Sequence, residues 1–234
     1  MLFDPPKEKG IVYKYFSAKG NTSCDYYATD IVFNNAMPEF TAHIGGKKVR
    51  VHLNVFGEHQ ISNALAAIAV ADHYNLSIES AAKHLEEFRG FSHRQELIKL
   101  KDFTIIDDTY NASPDSMKAS ISILKDFDAK RKIAVLADMK ELGNDEKILH
   151  KEIGDFINET VKLDAVFTVG ELAKEIIKDI NKDIYTKSFE DNESLEKFMS
   201  GYLKAGDVCL LKGSNSMRLF DVVDKIRNYE KFIR

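Results

Sequence analysis

The sequence predicts an α/β chain in two parts. A C-terminal region, residues 93–234, has a mostly parallel sheet of Rossmann-like architecture, and a smaller α+β region, residues 1–92, precedes it. Three observations carry this reading. Beyond residue 100, short apolar runs alternate with amphipathic stretches of ten or more residues, the pattern of βαβ units. Before residue 57, β-prone pieces are separated by Gly, Asn and Pro, as in hairpins. Between the two, RGFSHRQE at 89–96 has little apolar periodicity and reads as a linker.

Taken in order, IVYKYF, YYATDIVF, FTAHI and KKVRVHLNVF form a small, mostly antiparallel β region, with Gly45 and Gly46 at a hairpin turn. From His59 the period changes. Ile61, Leu65, Ile68 and Ala69 recur at helical spacing, and SIESAAKHLEEF gives a second helix opened by Ser77, with Glu79 and Ser80 in its first turn. Past the linker come the strand TII before Asp107 and Asp108, a helix from Pro114, the strand KIAVLAD, a helix after Asn144 and the strand DAVFTVG. Helices through LAKEIIKDI and SLEKFMSGYL follow, then the strand DVCLLKG and a last helix from Met217. Parallel strands joined by right-handed crossovers place ligands beyond their carboxyl ends, which here carry Asp107, Asp108, Asp138, Gly170 and Lys212.

Composition narrows the function classes. With 44% hydrophobic and 30% charged residues in 234, the chain can bury a core, and a net charge of -4 leaves no basic footprint for nucleic acid. Cys24 and Cys209 are far apart and outside any CxxC spacing, as expected of small apolar residues in a reducing compartment. No His, Cys, Asp or Glu spacing makes an all-protein metal site. MLFDPPKEKG has no apolar leader core, and no apolar run approaches the roughly 20 residues that span a bilayer, so a cytoplasmic protein without membrane insertion is expected.

The richest stretch is IIDDTYNASPDS at 105–116. Ser113 and Pro114 read as N-cap and first helical residue, with Asp115 favourably placed in the first turn. Asp107, Asp108, Tyr110 and Asn111 remain on the strand-to-helix loop, offering carboxylates for hydroxyls or a cation and an amide that donates and accepts. An Asx turn in a solvated loop is the plain alternative. Lys212, Gly213, Ser214 and Ser216 form a second such turn, where a lysine and backbone amides suit a carboxylate, or where a serine simply caps a helix. His59 and Asn63, four apart, share a face of the first helix. His150 is expected to be a solvated helix histidine.

DDTYNASPDSM resembles the DDxYNANPxSM signature of the Mur ligases, in the branch that joins D-alanyl-D-alanine to the UDP-muramoyl tripeptide (UDP-MurNAc-tripeptide). GEHQISNALAAIAVA at 57–71, HRQE at 93–96, AVLADMKELG at 134–143 and LLKGSNSMRLFDVV at 210–223 are similar to that family's other motifs, in the same order. The wording departs from the family at Ala137 (usually Gly), Lys140 (usually Leu) and Asn215 (usually Arg).

The resemblance implies an ATP-dependent amide-bond ligase of peptidoglycan precursor synthesis that uses magnesium and passes through an acyl phosphate. It implies that Asn63, with His59, meets the adenine, that Arg94 meets the nucleotide as the C-terminal domain closes, and that Asp107 takes the ribose. Asp108, Tyr110 and Asn111 would shape that pocket or face the incoming amine, and Lys212, Ser214 and Ser216 would hold the D-alanyl-D-alanine carboxylate.

A Walker A loop, GxxxxGK[ST], is not found in these residues; GGKKV at 45–49 lacks the hydroxyl. The expectation is therefore a C-terminal portion: 1–92 the tail of the central ATPase domain, 93–234 the C-terminal domain, with the magnesium site elsewhere and no turnover by this chain alone. Strands taken from a larger sheet expose edges, so 1–92 is expected to be the less stable half or to self-associate. Rivals are another Mur-type ligase, a non-catalytic nucleotide-binding module and, more distantly, a phosphoacceptor receiver. The receiver also groups acids such as Asp107, Asp108 and Asp138 with a lysine like Lys212, but its acceptor ends the third strand and Asp138 ends the second.

Overall fold

The structure, a computed structural model, describes residues 10–34 and 36–232; the first nine residues of the expected 1–92 region lie outside these. The chain divides into two compact units, Met1–Arg89 and Gly90–Arg234.

In the N-terminal unit, β1 (Phe16–Ser17), β2 (Tyr26–Asn34), β3 (Met37–Ile44) and β4 (Lys47–His52) form one sheet in that order. β1 runs parallel to β2 and the other pairs are antiparallel. Strict alternation along β3 turns Pro38, Phe40, Ala42 and Ile44 to the core, as a period of two requires. Gly45 and Gly46, at φ 52° and 86°, make the two-residue turn to β4, where positive φ at both positions matches the twist of the strands. Helix α1 (His59–His73) lays Ile61, Ala64, Leu65 and Ile68 onto Phe40 and Val51, and α2 (Ile78–Glu87) adds Ile78 and Ala82. The Ser77 hydroxyl caps α2, accepting from Ser80 N at 3.1 Å.

The C-terminal unit holds β5 (Glu96–Lys99), β6 (Thr104–Asp108), β7 (Arg131–Ala137), β8 (Ala165–Val169), β9 (Tyr185–Phe189) and β10 (Asp207–Lys212), in the order β5-β6-β10-β7-β8-β9. Only β5 is antiparallel to its neighbour. The helices are α3 (Pro114–Ile123), α4 (Glu146–Thr160), α5 (Lys174–Ile177), α6 (Asn192–Tyr202) and α7 (Leu219–Phe232). β8 and β10 are buried along their whole length, the mark of strands covered on both faces. Phe167 at the centre meets Tyr185, Phe189, Phe198 and Tyr202 edge to face.

Three elements differ from the sequence reading. β5 begins inside the expected linker, and β9, YTKSF, was not anticipated. Both are edge strands, and in β9 only Phe189 is fully buried, so the apolar signal of a strand is weak there. LAKEIIKDI was expected to be a full helix but gives one turn, α5, because turns at 171–173 and 178–179 consume its ends. No helix among the described residues is long and apolar enough to cross a membrane.

Candidate functional site

Because β6, β10 and β7 are adjacent and parallel, their carboxyl ends deliver three loops to one edge of the sheet: 109–113, 213–218 and 138–145. This is where an open α/β sheet presents its ligand crevice.

At the end of β6 the two acids are internal. Asp107 is fully buried; its Oδ1 accepts from Thr109 N (3.2 Å) and Thr109 Oγ1 (2.6 Å), and its Oδ2 meets His93 Nδ1 at 2.8 Å. Asp108 accepts from Lys212 Nζ (2.6 Å), Ser120 Oγ (2.5 Å) and Gln95 N (3.2 Å). A buried carboxylate is tolerable only with such partners.

These bonds act on the HRQE loop. His93 and Gln95 have φ of 62° and 55°, left-handed backbone that costs a side-chain-bearing residue of order 1 kcal/mol or more. The ring of His93 is tied to Asp107, its carbonyl accepts from Tyr110 N (2.9 Å), and Gln95 N is tied to Asp108, so the conformation is held from both sides. Arg94, between them, places its guanidinium 3.8 Å above the ring centre of half-exposed Tyr110. Phe91, Ser92, Arg94 and Tyr110 line one open hollow.

A second, more polar cleft of about 460 Å³ draws on all three loops: Asn111 and Ser113, Lys140 and Glu141, Asn215 and Ser216, with Ser214 at its base. Lys212 does not reach it as a free cation. It is buried, and its ammonium is directed to Asp108 and to Asn111 O (2.9 Å), under the 109–113 loop. Ser214 is also buried, its hydroxyl accepting from Lys140 N at 2.8 Å. Ser113 caps α3 with Pro114 in its first turn, as the SPDS stretch predicts, and Ser116 adds the return bond of a capping box, with serine in place of the usual acid or amide.

The 138–142 loop is supported from within. Asp138, buried at the end of β7, accepts from Ala173 N (2.7 Å) and from Lys140 Nζ (2.8 Å). His150 corrects the expectation of a solvated histidine: it is fully buried, its Nε2 accepting from Met139 N (2.8 Å) while Nδ1 donates to Glu146 O (2.6 Å). That pattern requires the neutral ring with its proton on Nδ1. The sequence shows a helix histidine but not the backbone amide that folds back onto it.

In the N-terminal unit, His59 starts α1 and is exposed, and Asn63, also exposed, donates from Nδ2 to Gln60 Oε1 (2.9 Å). Asn63 and Gln60 edge an apolar hollow of about 290 Å³ walled by Leu53, Val55, Ala64, Leu85 and Phe88. A flat heteroaromatic ring suits such walls, and the carboxamide can match its polar edge.

Among the described residues, one trio could offer three metal ligands: His93, Glu96 and Asp107. It does not fit magnesium, which demands oxygen ligands. His93 is bonded to Asp107, and Arg227 donates to Glu96 at 2.9 Å and lies 3.9 Å from Asp107, so a guanidinium already supplies the positive charge. Sequence reasoning passed over His93, Gln95 and Thr109. Their signal was present, since HRQE and DDT are both short polar runs, but only the pairing of β5 with β6 brings them together.

Comparison with known proteins agrees with this architecture. Residues 93–215 match the family described as Mur ligase, glutamate ligase domain, and residues 4–71 the Mur ligase middle domain. A UDP-N-acetylmuramoyl-tripeptide–D-alanyl-D-alanine ligase of Bacillus subtilis is 36% identical over 208 residues, covering 86% of this chain and 45% of the relative. The crystal structure of MurF from Acinetobacter baumannii superposes with a TM-score of 0.79 at 28% identity, over 90% of this chain and 46% of that one. MurF ligase from Thermotoga maritima in complex with ADP gives 0.78 at 26% identity, over 94% and 49%. The chain thus spans about half the length of the relatives it matches. With the family match covering more than half of its residues and the strand-end loops carrying the motifs, the chain belongs to the Mur ligase family.

Proposed function

We propose that this chain serves ATP-driven amide-bond formation between D-alanyl-D-alanine and UDP-MurNAc-tripeptide, contributing the adenine and ribose side of the nucleotide site and the dipeptide site in the cytoplasm. The observation that supports this most is the meeting of three motif-bearing loops in one polar cleft at the carboxyl edge of the sheet. The D-alanyl-D-alanine ligase names of the relatives point the same way.

In this reading, Asn63 and the apolar hollow beside it receive the adenine, with His59 at the same helix start. Arg94, stacked on Tyr110, meets nucleotide phosphate charge, for which a guanidinium is well suited. Asp107, expected to take the ribose, is fully buried with both oxygens engaged, so it and Asp108 act from inside by fixing the 93–95 loop, and Asn111 with Ser216 faces the dipeptide. Transfer of the γ-phosphoryl to the tripeptide carboxylate makes an acyl phosphate; the dipeptide amine then attacks the acyl carbon, and phosphate departs as the amine loses a proton. The protein's part is to hold the partners in line, worth several orders of magnitude in rate. Magnesium belongs to the complete reaction and is assigned no ligand among these residues.

Calorimetry of the 234-residue chain with a non-hydrolysable ATP analogue tests the reading. Binding weakened about tenfold by Asn63→Ala and by Arg94→Ala supports it. Nucleotide binding indifferent to both would count against it. No phosphate release is expected from this chain alone; release by the purified chain would overturn that expectation.

A further inference from the structure

We propose that His150, on α4, is a positioning residue of the polar cleft: its neutral ring holds the 138–142 loop in the conformation that receives the incoming dipeptide. The inference rests on the proposed function and goes beyond it, since His150 does not line the cleft and the motifs assign it no part in binding.

The loop is tied down one amide at a time. Asp138 N donates to Val169 O at the end of β8 (3.2 Å), Met139 N to His150 Nε2 (2.8 Å) and Lys140 N to Ser214 Oγ (2.8 Å), while Asp138 O accepts from Ser214 N (3.1 Å). Three successive amides therefore reach three different elements: β8, α4 and the loop after β10. Strand order supplies the first and the third, because β7 lies between β8 and β10. The second exists only because position 150 carries an acceptor of the right reach.

The ring itself has no freedom left. His150 is fully buried, and because its Nδ1 donates to Glu146 O, Nε2 must be the acceptor. A carboxylate at this position could accept the same amide, but it would bury a second negative charge one residue from the partner amide's neighbour, Asp138, itself buried. A hydrocarbon would leave the Met139 N–H unpaired beside a side chain that is fully buried. The neutral imidazole avoids both costs.

The residues that follow this clamp form a wall of the cleft. Beyond Lys140 the chain turns through Glu141 at φ 65° and Gly143 at φ 66°, and Glu141 and Leu142 line the cleft together with residues 111–113 and 214–216. Left-handed backbone is strained at Glu141, which bears a side chain, and persists only while the chain around it is held. Releasing the Met139 amide lets the loop relax and moves Glu141 and Leu142 from their places. A ligand that fits the cleft therefore binds the clamped loop better than the released one, and by linkage its binding must tighten the clamp in return.

The test uses nitrogen-15-labelled chain with D-alanyl-D-alanine at millimolar concentration. In the native chain the dipeptide is expected to shift the amides of 111–113 and 214–216, and to slow hydrogen exchange at the Met139 amide by about threefold more than at the amides of β8. His150→Leu should weaken dipeptide binding about tenfold in the folded protein, and His150→Gln, whose Oε1 can stand where Nε2 does, should restore most of it. A purely structural histidine predicts instead a lower thermal midpoint for His150→Leu with the affinity of the folded protein unchanged. That result, a loss that His150→Gln does not restore, or Met139 exchange that bound dipeptide leaves untouched overturns the inference and spares the proposed function. If His150→Leu does not fold, exchange in the native chain decides by itself. No dipeptide binding by the native chain overturns both.

Discussion

The ion pair of Lys212 with Asp108 illustrates what a buried charge demands. Both side chains are nearly sealed from water, and each has further hydrogen bonds, Asp108 from Ser120 and Gln95, Lys212 to Asn111 O. Removing one partner strands the other, so Lys212→Met should cost about 3–5 kcal/mol in urea unfolding, and adding Asp108→Asn should recover part of that. A single variant as stable as the parent would show that the pair is not integral. Tyr26 offers a pH test. Burial, with its hydrogen bond to Asp72 (2.9 Å), pushes its phenol up to about 12 from an ordinary value near 10. The folded state therefore keeps the proton longer than the unfolded one. Its contribution is fully present below about pH 10 and lost as pH rises to about 12, a fall of roughly 2–3 kcal/mol. Tyr26→Phe should flatten that part of the stability profile; an unchanged slope would remove Tyr26 as its source.

At the scale of elements, the close approach of α4 and α5 depends on a missing side chain. A Cβ at Gly154 would lie 2.1 Å from Ile176 O, backbone against backbone, so neither helix can yield cheaply. Gly154→Ala is expected to cost about 1–3 kcal/mol or more through overpacking, read from the thermal midpoint. The start of α3 is a milder case. Ser113→Ala removes one half of the capping box and should cost about 1 kcal/mol; a neutral result would mean that water replaces the cap fully.

For the whole molecule, the two units differ in how their sheets are covered. The central strands of the C-terminal sheet are buried throughout, whereas the N-terminal unit leaves Ile11, Val12, Phe16, Val32, Phe33, Val70, Tyr74 and Leu76 exposed. Amide hydrogen exchange should therefore be slower in β7, β8 and β10 than in β2 and β3, by about tenfold or more, with any self-association arising from the N-terminal unit. Equal protection in both units would contradict this.

Periodicity and turn chemistry made most of the fold legible from the sequence: the helix of Ile61, Leu65 and Ile68, the Gly45–Gly46 hairpin, the SPDS helix start and the alternation that specifies a parallel sheet. These signals are local, because each depends on residues within a turn or two of one another. The edge strands β5 and β9 escaped, since a strand covered on one face carries half the apolar signal. Motif wording located the site edge but not the direction of its side chains. Only the tertiary structure decided that Asp107 faces His93, that Lys212 is sealed against Asp108, that His150 receives the Met139 amide and that the Lys140 ammonium turns to Asp138. Those outcomes depend on strand order, which brings β10 between β6 and β7 and sets residues about a hundred positions apart within hydrogen-bonding distance, a separation over which local sequence carries no geometric information.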